Sequence, residues 1–251
     1  MTEITRLARD LVALPSINPM GRDLQGPEVF EHRVTAYLES FFHDLGVPFE
    51  RQAIAPLREN ISARCEFSGA KRTLLFEAHQ DTVPTDNMII DPFGARIENG
   101  RIYGRGACDI KGGMAAMLAA FARLVREKPA GAANVIMACT VDEEHTFLGV
   151  QRLVRDGLRA DGAIVAEPTN LRIVHTHKGA VRWHVTTPGR ACHSSSPEQL
   201  LSEQCEQDKQ TTTHAGTPGF HRQQAQHERT RTHVAPAMPK VLPTILGMVC
   251  R

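Results

Sequence analysis

Three short, mostly apolar runs at residues 73–78, 134–141 and 162–166 constrain the fold most, because helical patterns separate them. Residues 110–127 and 147–158 carry those patterns, with apolar side chains recurring at helical spacing. Upstream, apolar residues at positions 4, 7, 8, 11 and 14 mark a helix over 2–14, which Pro15 ends. A second amphipathic helix is expected over 27–45, with Gly46 as its C-cap. Strands alternating with helices argue for an α/β fold with a central, mostly parallel sheet flanked by helices. Beyond Glu167 the pattern changes to strands at 172–177 and 180–187 with no helix between them. This divides the chain into a domain over 1–177, the beginning of an α+β unit over 178–198, and a tail over 199–251.

The tail differs in composition. Only six of the 34 residues from Leu200 to His233 are hydrophobic, so it cannot bury enough apolar surface to offset its ordering entropy. It is expected to be disordered, and the apolar stretch at 241–249 is too short to form a domain. Lys and Arg total 29 against 28 acidic residues, which gives no electrostatic reason for a nucleic-acid or acidic-membrane partner. The longest apolar stretch, 112–122, is far short of the roughly 20 residues a membrane span needs. The N-terminus lacks the basic-then-apolar layout of a signal peptide. The six cysteines, at 65, 108, 139, 192, 205 and 250, form no C-x-x-C pair. A cytoplasmic protein with reduced thiols is expected.

In an open α/β sheet, ligands bind outside the carboxyl ends of the strands. Here the first run enters His79-Gln80-Asp81, the second Asp142-Glu143-Glu144-His145 and the third Glu167-Pro168-Thr169. Between the first two, Gly104-Arg105-Gly106-Ala107-Cys108-Asp109 leads into Ile110-Lys111-Gly112-Gly113 and a helix. One imidazole and several carboxylates, without thiolates, suit zinc or a similar divalent ion. Carboxylates also bridge, so two ions roughly 3.5–4 Å apart are feasible. Asp81 could accept the second imidazole N–H of His79. Adjacent Glu143 and Glu144 permit one to ligate while the other moves a proton.

Blander readings exist for each element alone. His-x-Asp at a strand end is commonly a polar loop, and a Glu-Glu pair a solvated helix start. The loop at 104–113 matches neither phosphate-binding glycine spacing. Their placement at successive strand ends favours the metal. His175 and His184 read as exposed strand positions, Cys139 as core, Trp183 as packing, and Cys108 has no basic partner in sequence to activate it.

Six motifs occur in order: His-Gln-Asp-Thr-Val-Pro (79–84), Gly-Arg-Gly-Ala-Cys-Asp-Ile-Lys-Gly-Gly (104–113), Asp-Glu-Glu (142–144), Ala-Glu-Pro-Thr (166–169), His-Lys-Gly (177–179) and Gly-Arg-Ala-Cys-His-Ser-Ser-Ser-Pro (189–197). Over about residues 4–198 the chain resembles the dinuclear-zinc metallopeptidase family of acetylornithine deacetylase, succinyl-diaminopimelate desuccinylase, aminoacylase and carboxypeptidase G-type enzymes. The resemblance implies a zinc-exopeptidase-like catalytic domain over 1–177, followed by the start of a lid domain. It implies two zinc ions, with cobalt as a substitute, and hydrolysis of an N-acyl amino acid or short peptide by metal-activated water. His79 and Glu167 would bind one zinc, Glu144 the other, and Asp109 would bridge. Asp81 would orient His79, Glu143 would be the general base and later acid, and His193 would stabilise the oxyanion, in dimeric members from the neighbouring subunit.

One departure accompanies these matches. The family's chain returns from the lid to supply a last histidine ligand, whereas here the resemblance stops after Pro197-Glu198. His214, His221, His227 and His233 lie in the polar tail and read as solvated loop residues. A frameshifted or truncated gene is the expectation that fits. The alternative function is then a non-catalytic remnant with a partial metal site.

Overall fold

The computed structural model describes residues 1–175 and the backbone of 245–247. Outside the described residues lie the expected strand at 180–187, the second unit at 178–198, His184, Trp183, His193, and the tail apart from 245–247. The elements run α1 (Glu3–Val12), α2 (His32–Leu45), β1 (Phe49–Ala55), β2 (Arg58–Cys65), β3 (Thr73–His79), β4 (Arg96–Glu98), β5 (Arg101–Tyr103), α3 (Lys111–Glu127), β6 (Asn134–Thr140), α4 (Leu148–Arg155), β7 (Gly162–Val165) and β8 (Ile245–Gly247).

Among the described residues, six strands form one sheet in the order β1-β2-β6-β3-β7-β8, and β4 and β5 form a separate hairpin. The pairs β6–β3, β3–β7 and β7–β8 are parallel, whereas β1–β2 and β2–β6 are antiparallel. The sheet is therefore mixed: a parallel centre with an antiparallel hairpin at one edge. That hairpin shows no apolar run because β2 buries polar residues. Arg58, Asn60 and Ser62 are all buried, and the partners of the first two include residues far along the chain: Arg58 donates to Asp142 at 2.8 Å and Asn60 to the Gly149 carbonyl at 2.9 Å.

The core lies between the sheet and helices α1, α2 and α3. Leu7 and Leu11 of α1, Leu38 and Phe42 of α2, and Met114, Leu118 and Phe121 of α3 are all fully buried. Phe42 meets Phe121 edge-on, with ring centroids 6.0 Å apart. From the sheet, Ile61 and Ala63 of β2, Phe76 and Ala78 of β3, and Val135, Met137 and Cys139 of β6 enter the same cluster. Alternation along a strand directs Glu77 and His79 of β3 to the opposite face. The packed β3 is thus a rigid support for a polar side chain at its end.

Helix ends follow local chemistry. Thr2 caps α1 by accepting the Thr5 N–H, and Gly46 ends α2 in a left-handed turn at φ 70°. The second helix begins at His32 rather than at 27, because 27–31 is irregular, with Val29 bridged to Ile17 and Phe30 at φ 66°. Glu31 precedes the helix without capping it, since its carboxylate bonds to Arg58 instead. From Arg172 to His175 the chain forms only an isolated bridge position at Val174, not the strand expected from 172. Residues 171–175 are exposed. No helix among the described residues is long and apolar enough to cross a membrane.

Candidate metal centre

His79 ends β3, a strand flanked by parallel neighbours on both sides. Its ring is 1% exposed, so both nitrogens must be satisfied within the fold. Nδ1 lies 2.9 Å from the main-chain carbonyl of Asp81, an acceptor only, so Nδ1 carries the proton. Nε2 points to three carboxylates: Asp109 Oδ1 at 3.2 Å, Glu143 Oε2 at 3.9 Å and Glu167 Oε1 at 4.0 Å. This is the tautomer that leaves Nε2 for a cation.

Asp109 arrives from the glycine-rich loop. Gly106 has φ +80°, and a Cβ there would stand 2.7 Å from the Thr82 methyl and 3.1 Å from Lys111 Cδ. Its glycine therefore serves close packing beside the site, and no phosphate cradle is needed to explain it. Buried Lys111 donates to the Leu14 carbonyl at 2.5 Å, fixing the start of α3 against the end of α1. Glu167 arrives from the end of β7. A Cβ on Gly113 would lie 2.9 Å from that of Ala166, so the missing side chain lets this segment approach α3.

One ligand atom each from His79, Asp109 and Glu167 all fall within 4.8 Å of one another. Glu144 is not part of this trio. Its N–H and that of Glu143 both donate to the Asp81 carboxylate, each at 3.1 Å. The Asp81 carboxylate also receives the Asn18 amide at 2.7 Å, while its Oδ1 stays 3.5 Å from His79 Nδ1. Its carboxylate thus grips the two-glutamate loop, and its main chain orients the imidazole. Asn18 sits in an irregular loop and carries no sequence signal of this role.

Electrostatics fit the geometry. Burial, reinforced by nearby carboxylates, pushes Glu144 up to about 7 and Glu167 up to about 8. Burial works against charge on His79, yet the Asp109 and Asp81 carboxylates outweigh it and raise its pKa well above the imidazole range. Burial likewise opposes ionisation of Asp81, but His79 and Asn18 hold its pKa below the ordinary value. Carboxylates converging on one imidazole, with Glu144 and Glu167 raised by burial, form a set that a hard or borderline divalent cation relieves. The donors are nitrogen and oxygen, and zinc fits them.

The model of peptidase family M20/M25/M40 matches residues 75–238. A succinyl-diaminopimelate desuccinylase of Rhodospirillum centenum is 32% identical over 205 residues, covering 76% of this chain and 51% of that protein. An acetylornithine deacetylase of Pectobacterium carotovorum is 32% identical over 196 residues, covering 77% and 50%. The chain thus spans about half the length of these relatives. Among solved structures, the M20 family metallo-carboxypeptidase Sso-CP2 from Sulfolobus solfataricus aligns with a TM-score of 0.57 at 23% identity, covering 85% of this chain and 57% of its own. Human carnosine dipeptidase 1 aligns with a TM-score of 0.54 at 21% identity, covering 72% and 40%. These structural likenesses concern the fold.

Proposed function

The chain belongs to peptidase family M20/M25/M40, and from that premise we propose that it is a zinc-dependent amidohydrolase acting on N-acyl amino acids. The observation that carries this reading is the convergence of His79, Asp109 and Glu167 at the carboxyl end of the sheet. The names of the two relatives, a desuccinylase and a deacetylase, favour removal of a small acyl group from an amino acid.

His79, Asp109 and Glu167 would hold one zinc ion, and Glu144, sharing Asp109, would contribute to a second. An ion held by these residues would supply Lewis-acid polarisation of a carbonyl and a more nucleophilic water. Glu143 takes the proton of the attacking water and returns it to the departing amine nitrogen as the C–N bond breaks. Its N–H donates to Asp81, and its carboxylate faces the same His79 nitrogen as Asp109 and Glu167. His193 is assigned to the oxyanion by family resemblance.

The test is to incubate the full chain with N-acetyl and N-succinyl amino acids, with added zinc or cobalt, and measure free amine. Metal-dependent release, abolished by a chelator, is expected. Tight metal binding without turnover on any of these compounds would favour the non-catalytic remnant instead.

A further inference from the structure

Behind the two-glutamate loop runs a second layer of buried charge. Arg58, at the start of β2, is held by both oxygens of Glu31, with Nε 2.9 Å from Oε2 and Nη2 2.6 Å from Oε1. Its Nη1 donates to Asp142 Oδ1 at 2.8 Å. Asn18 then joins Asp142 to Asp81, donating at 3.0 and 2.7 Å. Asp142 also accepts from the Thr146 hydroxyl and from the Thr146 N–H at 3.2 Å. The chain of contacts Glu31–Arg58–Asp142–Asn18–Asp81 therefore ends on the N–H groups of Glu143 and Glu144.

This layer is expensive. Glu31, Asp81, Asn18 and Asp142 are fully buried and Arg58 is 7% exposed. A buried ion pair adds little stability over apolar packing of similar volume, so its use here calls for another reason. The backbone is also drawn out of its preferred region around it: Phe30 has φ 66° and Asp142 φ 64°. Phe30 places its ring 5.1 Å from the Arg58 guanidinium, closing the side that Glu31 leaves open. A planar fork pinned on three sides has one geometry in which to present its last N–H to Asp142.

We propose that Arg58 is a positioning residue of the metal centre, setting through Asp142 and Asn18 where Asp81 holds His79, Glu143 and Glu144. This rests on the zinc reading above. Arg58 touches none of the proposed ligands and acts only through the intervening carboxylates and amide.

The experiment compares the full chain with Arg58→Lys, Glu31→Gln and, as a control for stability alone, Phe42→Leu. Cobalt affinity is measured by competition with a chromophoric chelator, together with the visible spectrum of the cobalt-loaded protein and the thermal midpoint. Loss of a partner behind the ligands is expected to weaken cobalt binding about 10- to 100-fold in Arg58→Lys, with an altered visible band. Glu31→Gln is expected to move both in the same direction by less, and Phe42→Leu to lower the midpoint while leaving both unchanged. Should Arg58→Lys not accumulate as folded protein, Glu31→Gln decides by the same criteria. If the parent binds cobalt and the Arg58 and Glu31 variants keep its affinity and spectrum, the positioning role is overturned and the zinc reading stands. If the parent binds no cobalt, the zinc reading and the positioning role both fall.

Discussion

Nε2 of His79 and Oδ1 of Asp109 lie 3.2 Å apart, although 30 residues separate them in sequence. The contact joins a buried strand end to a half-exposed loop, and Glu167 approaches it from the neighbouring strand. Rigidity comes from the strand, access from the loop. Both are needed where a cation must be held while a substrate reaches it.

Replacing His79 by Ala removes the only nitrogen donor of the trio. Zinc retained after dialysis against a weak chelator is expected to drop from at least one ion per chain to near none. Asp109→Asn should follow it, because an amide oxygen carries no charge to offset the ion. Retention of zinc in both variants would place the metal elsewhere.

Glu143→Gln tests the division of labour between the adjacent glutamates. Turnover is expected to fall by about 10²- to 10⁴-fold, the usual contribution of a positioned acid–base group, with metal content unchanged. The equivalent change at Glu144 is expected to weaken metal binding. The reverse outcome would exchange their assignments.

Proton release gives an independent check. Without metal, Glu144 titrates near 7, Glu167 near 8, and His79 well above the ordinary imidazole value. These groups hold protons below those values, and a cation binds only the deprotonated set. Affinity is therefore expected to rise from pH 6 to pH 8, and binding at pH 6.5 to release protons. Calorimetry in buffers of different ionisation enthalpy measures that release, and a pH-independent affinity with no protons released would contradict it.

Gly113→Val tests the approach of β7 to α3. Its Cβ would stand 2.9 Å from that of Ala166, and overpacking of this kind costs about 1–3 kcal/mol. A lowered denaturation midpoint and weaker zinc binding are expected together, since Glu167 follows Ala166. Unchanged values would show that the segment relaxes freely.

His79, Asp109 and Glu167 stood out as candidates in the sequence because each borders a periodic segment: His79 closes the run that forms β3, Asp109 lies just before the helical pattern of α3, and Glu167 lies just after the run that forms β7. The side-chain amide of Asn18 and the guanidinium of Arg58 did not. Each is a single polar residue whose partners lie far along the chain, such as Asp142, 84 residues beyond Arg58. The antiparallel hairpin was hidden for the same reason: β2 buries Arg58, Asn60 and Ser62 and so has no apolar run. Asp81 was legible as a partner of His79, but not as the acceptor of two N–H groups from the Glu143–Glu144 loop, which depends on how β3 and β6 end side by side.

The most direct test of the account is anomalous diffraction at the zinc edge from crystals of the full chain grown with zinc. A peak is expected within bonding distance of Nε2 of His79 and of the carboxylates of Asp109 and Glu167, at about 2.0–2.2 Å. Full zinc occupancy on other side chains, with no peak among these three, would contradict it.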